Sequence, residues 1–205
     1  MSLIKPPPEP KYWQAYLRGR TDMIEIDRAP TGLPESPPLR LYIVDLKDIA
    51  AGKGIDAIRP GAWRFFLGSF EGPAVCITVG ESDDGGPPRM TSMTHGHFVQ
   101  KSFQEVAEVE ALPEAKERDY ELRLLKIPGV LGAFWLKSTT DESYQSDLLV
   151  PYHILARELK RMKAYTPVKL CQALRPFAER RQEVDNAPRR SRKPRKKPAQ
   201  PRKRR

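Results

Sequence analysis

Cysteine is scarce in this chain, with two in 205 residues and no spacing pattern between them. That excludes a disulfide framework and a multi-cysteine zinc site, and it suits a reducing compartment. Cys76 lies in the apolar run Ala74–Val79 and Cys171 beside Leu170 in a helical pattern, so both read as packed core thiols. Long apolar runs are also missing. No segment approaches the roughly 18–20 apolar residues that span a bilayer. The start, MSLIKPPPEP, has prolines where a secretory signal would carry its apolar stretch. The expectation is a soluble cytoplasmic protein, or a nuclear one in a nucleated cell, with no transmembrane segment.

Acidic residues are absent from one place, the end. From Arg189 to Arg205 there is no Asp or Glu and there are eleven basic residues: Arg189, Arg190, Arg192, Lys193, Arg195, Lys196, Lys197, Arg202, Lys203, Arg204 and Arg205. The formal net charge of +10 therefore misleads as a whole-chain figure. Removing those eleven leaves 25 of the 36 basic residues against all 26 acidic ones, a body of net charge −1.

Motifs of catalysis are thin. Gly52-Lys53-Gly54 lacks the four residues between glycines and the Ser/Thr that a phosphate loop requires, and reads as a turn. Gly68-Ser69-Phe70-Glu71-Gly72 places no glycine two residues from its serine on either side, so it is a hairpin end and not a nucleophile elbow. Asp83-Asp84-Gly85-Gly86 lacks the alternating ligands of a calcium loop.

What is present is a centre. Tyr120 to Tyr152 reads as three apolar strands. Leu122, Leu124, Leu125 and Ile127 precede a Pro128-Gly129 turn, Val130 to Leu136 follow it, and Leu148, Leu149 and Val150 close the set. The first two runs do not keep their apolar residues to alternate positions, which places both strands inside a sheet. A body of about 170 residues buries roughly 70% of its unfolded surface, enough to fold without metal or disulfide.

Around that centre the pattern is legible in order. Residues 1–11 are proline-rich and expected to be disordered. Tyr12, Trp13, Tyr16 and Leu17 sit at helical spacing, and a proline-rich surface connection ends at Pro38. Leu39–Ile43 alternates as a strand, and a helical turn follows at Leu46–Ala50. Trp63, Phe65 and Leu67 share one face of the next strand, opposite Arg64 and Phe66. Val75, Ile77 and Val79 then alternate with smaller residues, making a hairpin. A further strand is expected through Met90–Val99, and Ser102 with Glu105 fits a capping box for a helix that Pro113 stops. Leu155, Leu159 and Met162 suggest a second helix. Thr166-Pro167 starts a third with the stripe Leu170, Cys171, Leu174, Phe177 and Ala178. The whole predicts a single α+β domain over residues 12–184, with a largely antiparallel sheet and helices packed on it, between the N-terminal segment and a disordered tail over 185–205.

Three constellations bear on function. His95 and His97, at i and i+2 on the expected strand, would project from one face as a metal pair must. Glu81, Asp83, Asp84 or distant His153 could supply a third ligand, and a metal-dependent hydrolase centred there is the alternative reading. Histidines without metal are the commoner outcome of such a pair, so no catalytic residue and no cofactor are assigned. Residues 153–184 could form a helix–turn–helix with Lys160, Arg161 and Lys163 on phosphates, against the simpler reading of an amphipathic pair with a solvated basic face.

The tail is the strong signal. Its prolines forbid a continuous helix, its like charges repel, and its cations can neutralise phosphates without sequence choice. With no aromatic residue in it, base stacking there adds no specificity. The expected function is a non-catalytic binding domain whose tail engages nucleic acid or another polyanion, with a protein or ligand partner possible for the body.

Overall fold

Alternating and doubly apolar runs dictate strands, and the strands assemble into one sheet. The computed structural model describes residues 3–25, 35–69, 71–82, 85–141 and 143–186. Seven strands run in the order β4-β3-β2-β1-β5-β6-β7. They are β1 (Glu35–Ile43), β2 (Arg59–Gly68), β3 (Ala74–Gly80), β4 (Arg89–His95), β5 (Tyr120–Ile127), β6 (Leu131–Ser138) and β7 (Leu148–Ile154). All neighbours are antiparallel except β1 and β5, which meet in parallel over Leu41–Ile43. The helices are α1 (Pro10–Glu25), α2 (Leu46–Ala50), α3 (His97–Ala111), α4 (Pro113–Lys116) and α5 (Pro167–Asn186). This is the expected α+β body on a mostly antiparallel sheet.

The doubly apolar strands lie inside the sheet for the expected reason. Leu122 and Leu124 of β5, with Phe134 and Leu136 of β6, pack on one face with Leu39, Phe66 and Val109. Leu125, Ile127, Ala133 and Trp135 pack on the other with Leu170, Leu174 and Ala178 of α5. β7 is the sheet edge, and its open backbone is partly met by Tyr165, which exchanges hydrogen bonds of 2.8 and 2.9 Å with Leu149.

Each face has its own helices. α3 covers the first face through Val99 and Val109, with Phe103 and Val106 packed beside them. On the second, α1 lays Tyr12, Ala15 and Tyr16 over Trp63, Phe65, Leu67 and Val79. The Tyr16 ring stacks on Phe65 at 4.2 Å, and its hydroxyl donates to Glu35 at 2.8 Å. The expected N-terminal aromatic helix is thus an integral part of the core. α5 starts as anticipated, with the Leu170 N–H donating to the Thr166 carbonyl at 3.0 Å, and carries Pro176 internally.

Four expectations are corrected. The N-terminal segment, expected disordered through residue 11, is anchored at Ile4: its N–H donates to the Tyr120 carbonyl and its carbonyl accepts from Leu122, both at 2.8 Å. β1 meets β5 only over three residues, so the start of β5 offers an open edge that Ile4 occupies. β1 also begins earlier than Leu39, at Glu35, because a register shift between Ser36 and Leu39 accommodates Pro37 and Pro38.

The helix expected from Ser102 begins at His97 instead. Gly96 turns the chain with φ +84°, and Ser102 lies inside α3, where its Oγ donates back to the Phe98 carbonyl at 3.1 Å. Finally, residues 155–165 form turns and not a helix, so a helix–turn–helix has no first helix. Met162 takes φ +54° and donates its N–H to the Pro151 carbonyl at 2.8 Å, which folds this segment back along β7.

The basic tail lies outside the described residues, while α5 continues to Asn186, past the expected boundary at 184. Among the described residues no helix is long and apolar enough to cross a membrane.

Candidate anion-binding cleft

Strand alternation decides which side chains reach each face. On β2, Trp63 and Phe65 point under α1, so Arg64 must point to the α3 face with Ala62 and Phe66. α3 does not cover that whole face. Beside it lies an open cleft of about 350 Å³. Phe98, Lys101 and Ser102 of α3 form one wall, and Lys126, Gly132, Tyr152 and His153 form the other, with Arg64 also in its lining.

The second wall follows from register. Lys126 pairs with Gly132 and Gly132 pairs with His153, so the three stand side by side on adjacent strands. Gly132 is small for a steric reason: a Cβ there would meet the Tyr152 ring at 2.7 Å. The bare backbone lets that ring settle against Phe134, with centroids 4.9 Å apart.

Charge in the cleft is one-sided. Glu105 is buried, and Arg161 occupies it with an Nη2–Oε1 contact of 2.8 Å while donating from Nε to the Tyr152 carbonyl at 3.1 Å. Burial still pushes the Glu105 carboxyl above its ordinary range, against the pull of Arg161. Among the described residues no carboxylate lies within ion-pair distance of Arg64, Lys101 or Lys126. The Arg64 Nε is buried and has no hydrogen-bond partner. Burial also raises the Tyr152 phenol, with the Arg64 guanidinium opposing that rise.

These groups are suited to binding. Fixed cations without acidic partners attract an anion, and a guanidinium suits phosphate or carboxylate oxygens; that of Arg64 also hydrogen-bonds the Tyr152 side chain. The neighbouring thiol, Cys76, is pushed up to about 11 by burial, which is the state of an inert core cysteine. Ser102 spends its hydroxyl on the helix backbone.

Of the residues singled out from sequence, His153 stands in the cleft wall and most of the others fall elsewhere. His95 is the last residue of β4 and His97 the first of α3, separated by the turn at Gly96; both are exposed. They do not share a strand face, so the geometric premise of the metal pair fails. Among the described residues no three of His, Cys, Asp and Glu gather as metal ligands. Asp83 and Asp84 lie outside the described residues. Lys160, Arg161 and Lys163 are exposed on turns, with Arg161 engaged by Glu105.

Lys53 of the Gly-Lys-Gly segment pairs with Asp48 at 2.9 Å, in the expected turn after α2. The turn lines a hollow of about 260 Å³ with Cys171, whose thiol burial pushes up to about 11. All eleven tail cations, Arg189 to Arg205, lie outside the described residues.

Sequence reasoning missed Lys101 and Lys126, and noted Arg64 only as facing away from Trp63. The usable signal was Arg64 itself, a charge inside a strand whose flanking residues are aromatic. Such a residue requires either a protein partner or an opening on its face. Comparison with protein-family models, with curated proteins and with solved structures finds no match to this chain.

Proposed function

We propose that this protein is a non-catalytic binding protein for nucleic acid or another polyanion, recruited without sequence preference through its basic C-terminal tail. The observation that carries this reading is the division of charge: eleven cations and no acid from Arg189 to Arg205, against a body of net charge −1. Clustered cations release condensed counterions from a phosphate backbone, and this supplies affinity independent of base sequence. The body's own contribution on this reading is a structured scaffold with an open cationic cleft on one sheet face.

The test is a salt titration of binding to two unrelated DNA duplexes, with and without residues 188–205. Truncation there keeps every residue that forms the sheet and its helices. If six to eight tail charges meet phosphates at once, log K falls against log salt with a slope of roughly −5 to −7. Truncation removes most of that slope. Equal affinity of the truncated chain overturns the tail's role, and strong preference for one duplex overturns the absence of sequence choice.

A further inference from the structure

We propose that the cleft between α3 and the β5–β6–β7 end of the sheet binds a nucleotide unit, with its phosphate on Arg64, Lys101 and Lys126 and its base on Phe98. This site is separate from the tail and does not rest on the tail's role.

Two independent features point to it. The first is the cation set. Arg64, Lys101 and Lys126 converge on one opening and have no carboxylate partner among the described residues. The Arg64 Nε is buried without any acceptor. Buried donors normally find a partner; the Arg40 Nε and Trp63 Nε1 are unmet as well, away from this cleft, so the convergence of three cations on one opening is what marks the place where ligand oxygens would be bound. Glu105, the one acid in the lining, is already taken by Arg161 and leaves the cleft net positive.

The second feature is Phe98. It is the most exposed large apolar residue among the described ones, at 80%, on a helix whose Val99, Phe103 and Val106 face the core. Nothing in the packing of α3 requires an aromatic ring there. Phe98 and Lys101 are three apart on the helix, so their side chains neighbour each other with Cβ atoms about 5–6 Å apart. That spacing sets a flat ring beside a cation, as a base and its phosphate are set in a nucleotide. An isolated phosphate would use the cations alone, and an apolar ligand would use the ring alone. A nucleotide uses both, as single-strand binding surfaces do.

The shared chemistry is a phosphorylated nucleoside, either free or as one residue of a single strand. The experiment uses the full-length chain and measures the affinities of inorganic phosphate, uridine monophosphate and an octauridylate at fixed salt. Phe98, Lys101 and Lys126 are exposed, so Phe98→Ala and the double change Lys101→Glu with Lys126→Glu are chosen, each with a thermal melt beside it. Phe98→Ala should weaken uridine monophosphate by about 5- to 150-fold, the loss of one stacked base, and leave phosphate unchanged. The double change should weaken both.

If octauridylate follows uridine monophosphate in responding to Phe98→Ala, the source is a strand; if only the mononucleotide responds, the source is a free nucleotide. The proposal is overturned if uridine monophosphate binds no more tightly than phosphate, or if neither variant alters its affinity while both melt like the parent. Failure of the tail reading would show instead in the truncation on duplex DNA and would leave these measurements standing.

Discussion

The Trp135 indole N–H donates to the Asp147 Oδ2 at 2.7 Å, and both residues are buried, at 1% and 0% exposure. The other Asp147 oxygen accepts the Ser138 backbone N–H at 2.9 Å and lies 3.4 Å from the Lys137 Nζ. One carboxylate thus fastens the end of β6 to the residue that precedes β7. Tyr42 meets the Trp135 ring edge-on at 5.0 Å, and the Arg123 guanidinium lies over it at 5.0 Å. The apolar centre read from the sequence is therefore pinned by a polar contact.

Truncating that side chain should be costly in two separable ways. Trp135→Ala is expected to destabilise by about 3–5 kcal/mol, the range for removing a large buried aromatic. Trp135→Phe keeps most of the ring but strands a buried acceptor, and should cost about 1–3 kcal/mol. Denaturant midpoints check both, and a Phe variant as stable as the parent would mean that Asp147 does not depend on the indole.

Glu105 offers a pH-dependent prediction. Burial raises its carboxyl pKa despite Arg161, so the folded state holds its proton more tightly than the unfolded chain does. The stability from that proton is fully present below the ordinary carboxyl pKa of about 4.3 and is lost as pH rises through the folded value. Glu105→Gln should therefore be neutral or stabilising at pH 7, and the gain over the parent should shrink on acidification. Arg161→Ala, which leaves the buried carboxylate unpaired, should be destabilising at pH 7. Chemical denaturation of the three proteins at pH 4 and pH 7 reads this directly, and a Gln variant less stable than the parent at neutral pH would refute it.

Cys76 should report burial at the alkaline end. Its thiol is pushed up to about 11 by desolvation. A raised thiol pKa contributes stability that is present below the unfolded value of about 8.5 and is lost as pH climbs to the folded one. Between pH 8.5 and 11 the parent should lose more stability than Cys76→Ala, with other alkaline titrations common to both. Thiol labelling of the folded protein at pH 8 should also be slow at Cys76 and at Cys171. Rapid labelling of Cys76 would place it at the surface.

Gly68 closes β2 with φ +101°, and a Cβ there would lie 2.0 Å from the Pro73 carbonyl oxygen. The obstacle is backbone, which cannot swing aside as a side chain can. Gly68→Ala should cost at least about 2 kcal/mol through strain and displacement of the β2–β3 hairpin. A thermal midpoint within a degree or two of the parent would show that the turn has another conformation open to it.

Periodicity alone determined most of the frame, because it acts through local geometry. The two-sided apolar runs at Leu122–Ile127 and Val130–Leu136 require interior strands. Trp63, Phe65 and Leu67 alternating with Arg64 and Phe66 require a strand, and Thr166-Pro167 requires a helix start. The division of charge at Arg189 is likewise a property of composition and needs no coordinates.

Local signals failed where a distant segment competed for the same backbone. Leu155, Leu159 and Met162 have helical spacing, yet Met162 bonds to Pro151 and Tyr165 to Leu149, because an open sheet edge offers those partners. Ser102 and Glu105 match a capping box, yet Gly96 supplies the turn and Arg161, 56 residues away in sequence, takes Glu105. His95 and His97 look like a pair only while the chain is assumed straight between them. The cleft is tertiary throughout: Arg64, Lys101 and Lys126 come from β2, α3 and β5, and only sheet register and the placement of α3 bring their charges to one opening, since charge convergence depends on distance in space and leaves no trace in spacing along the chain.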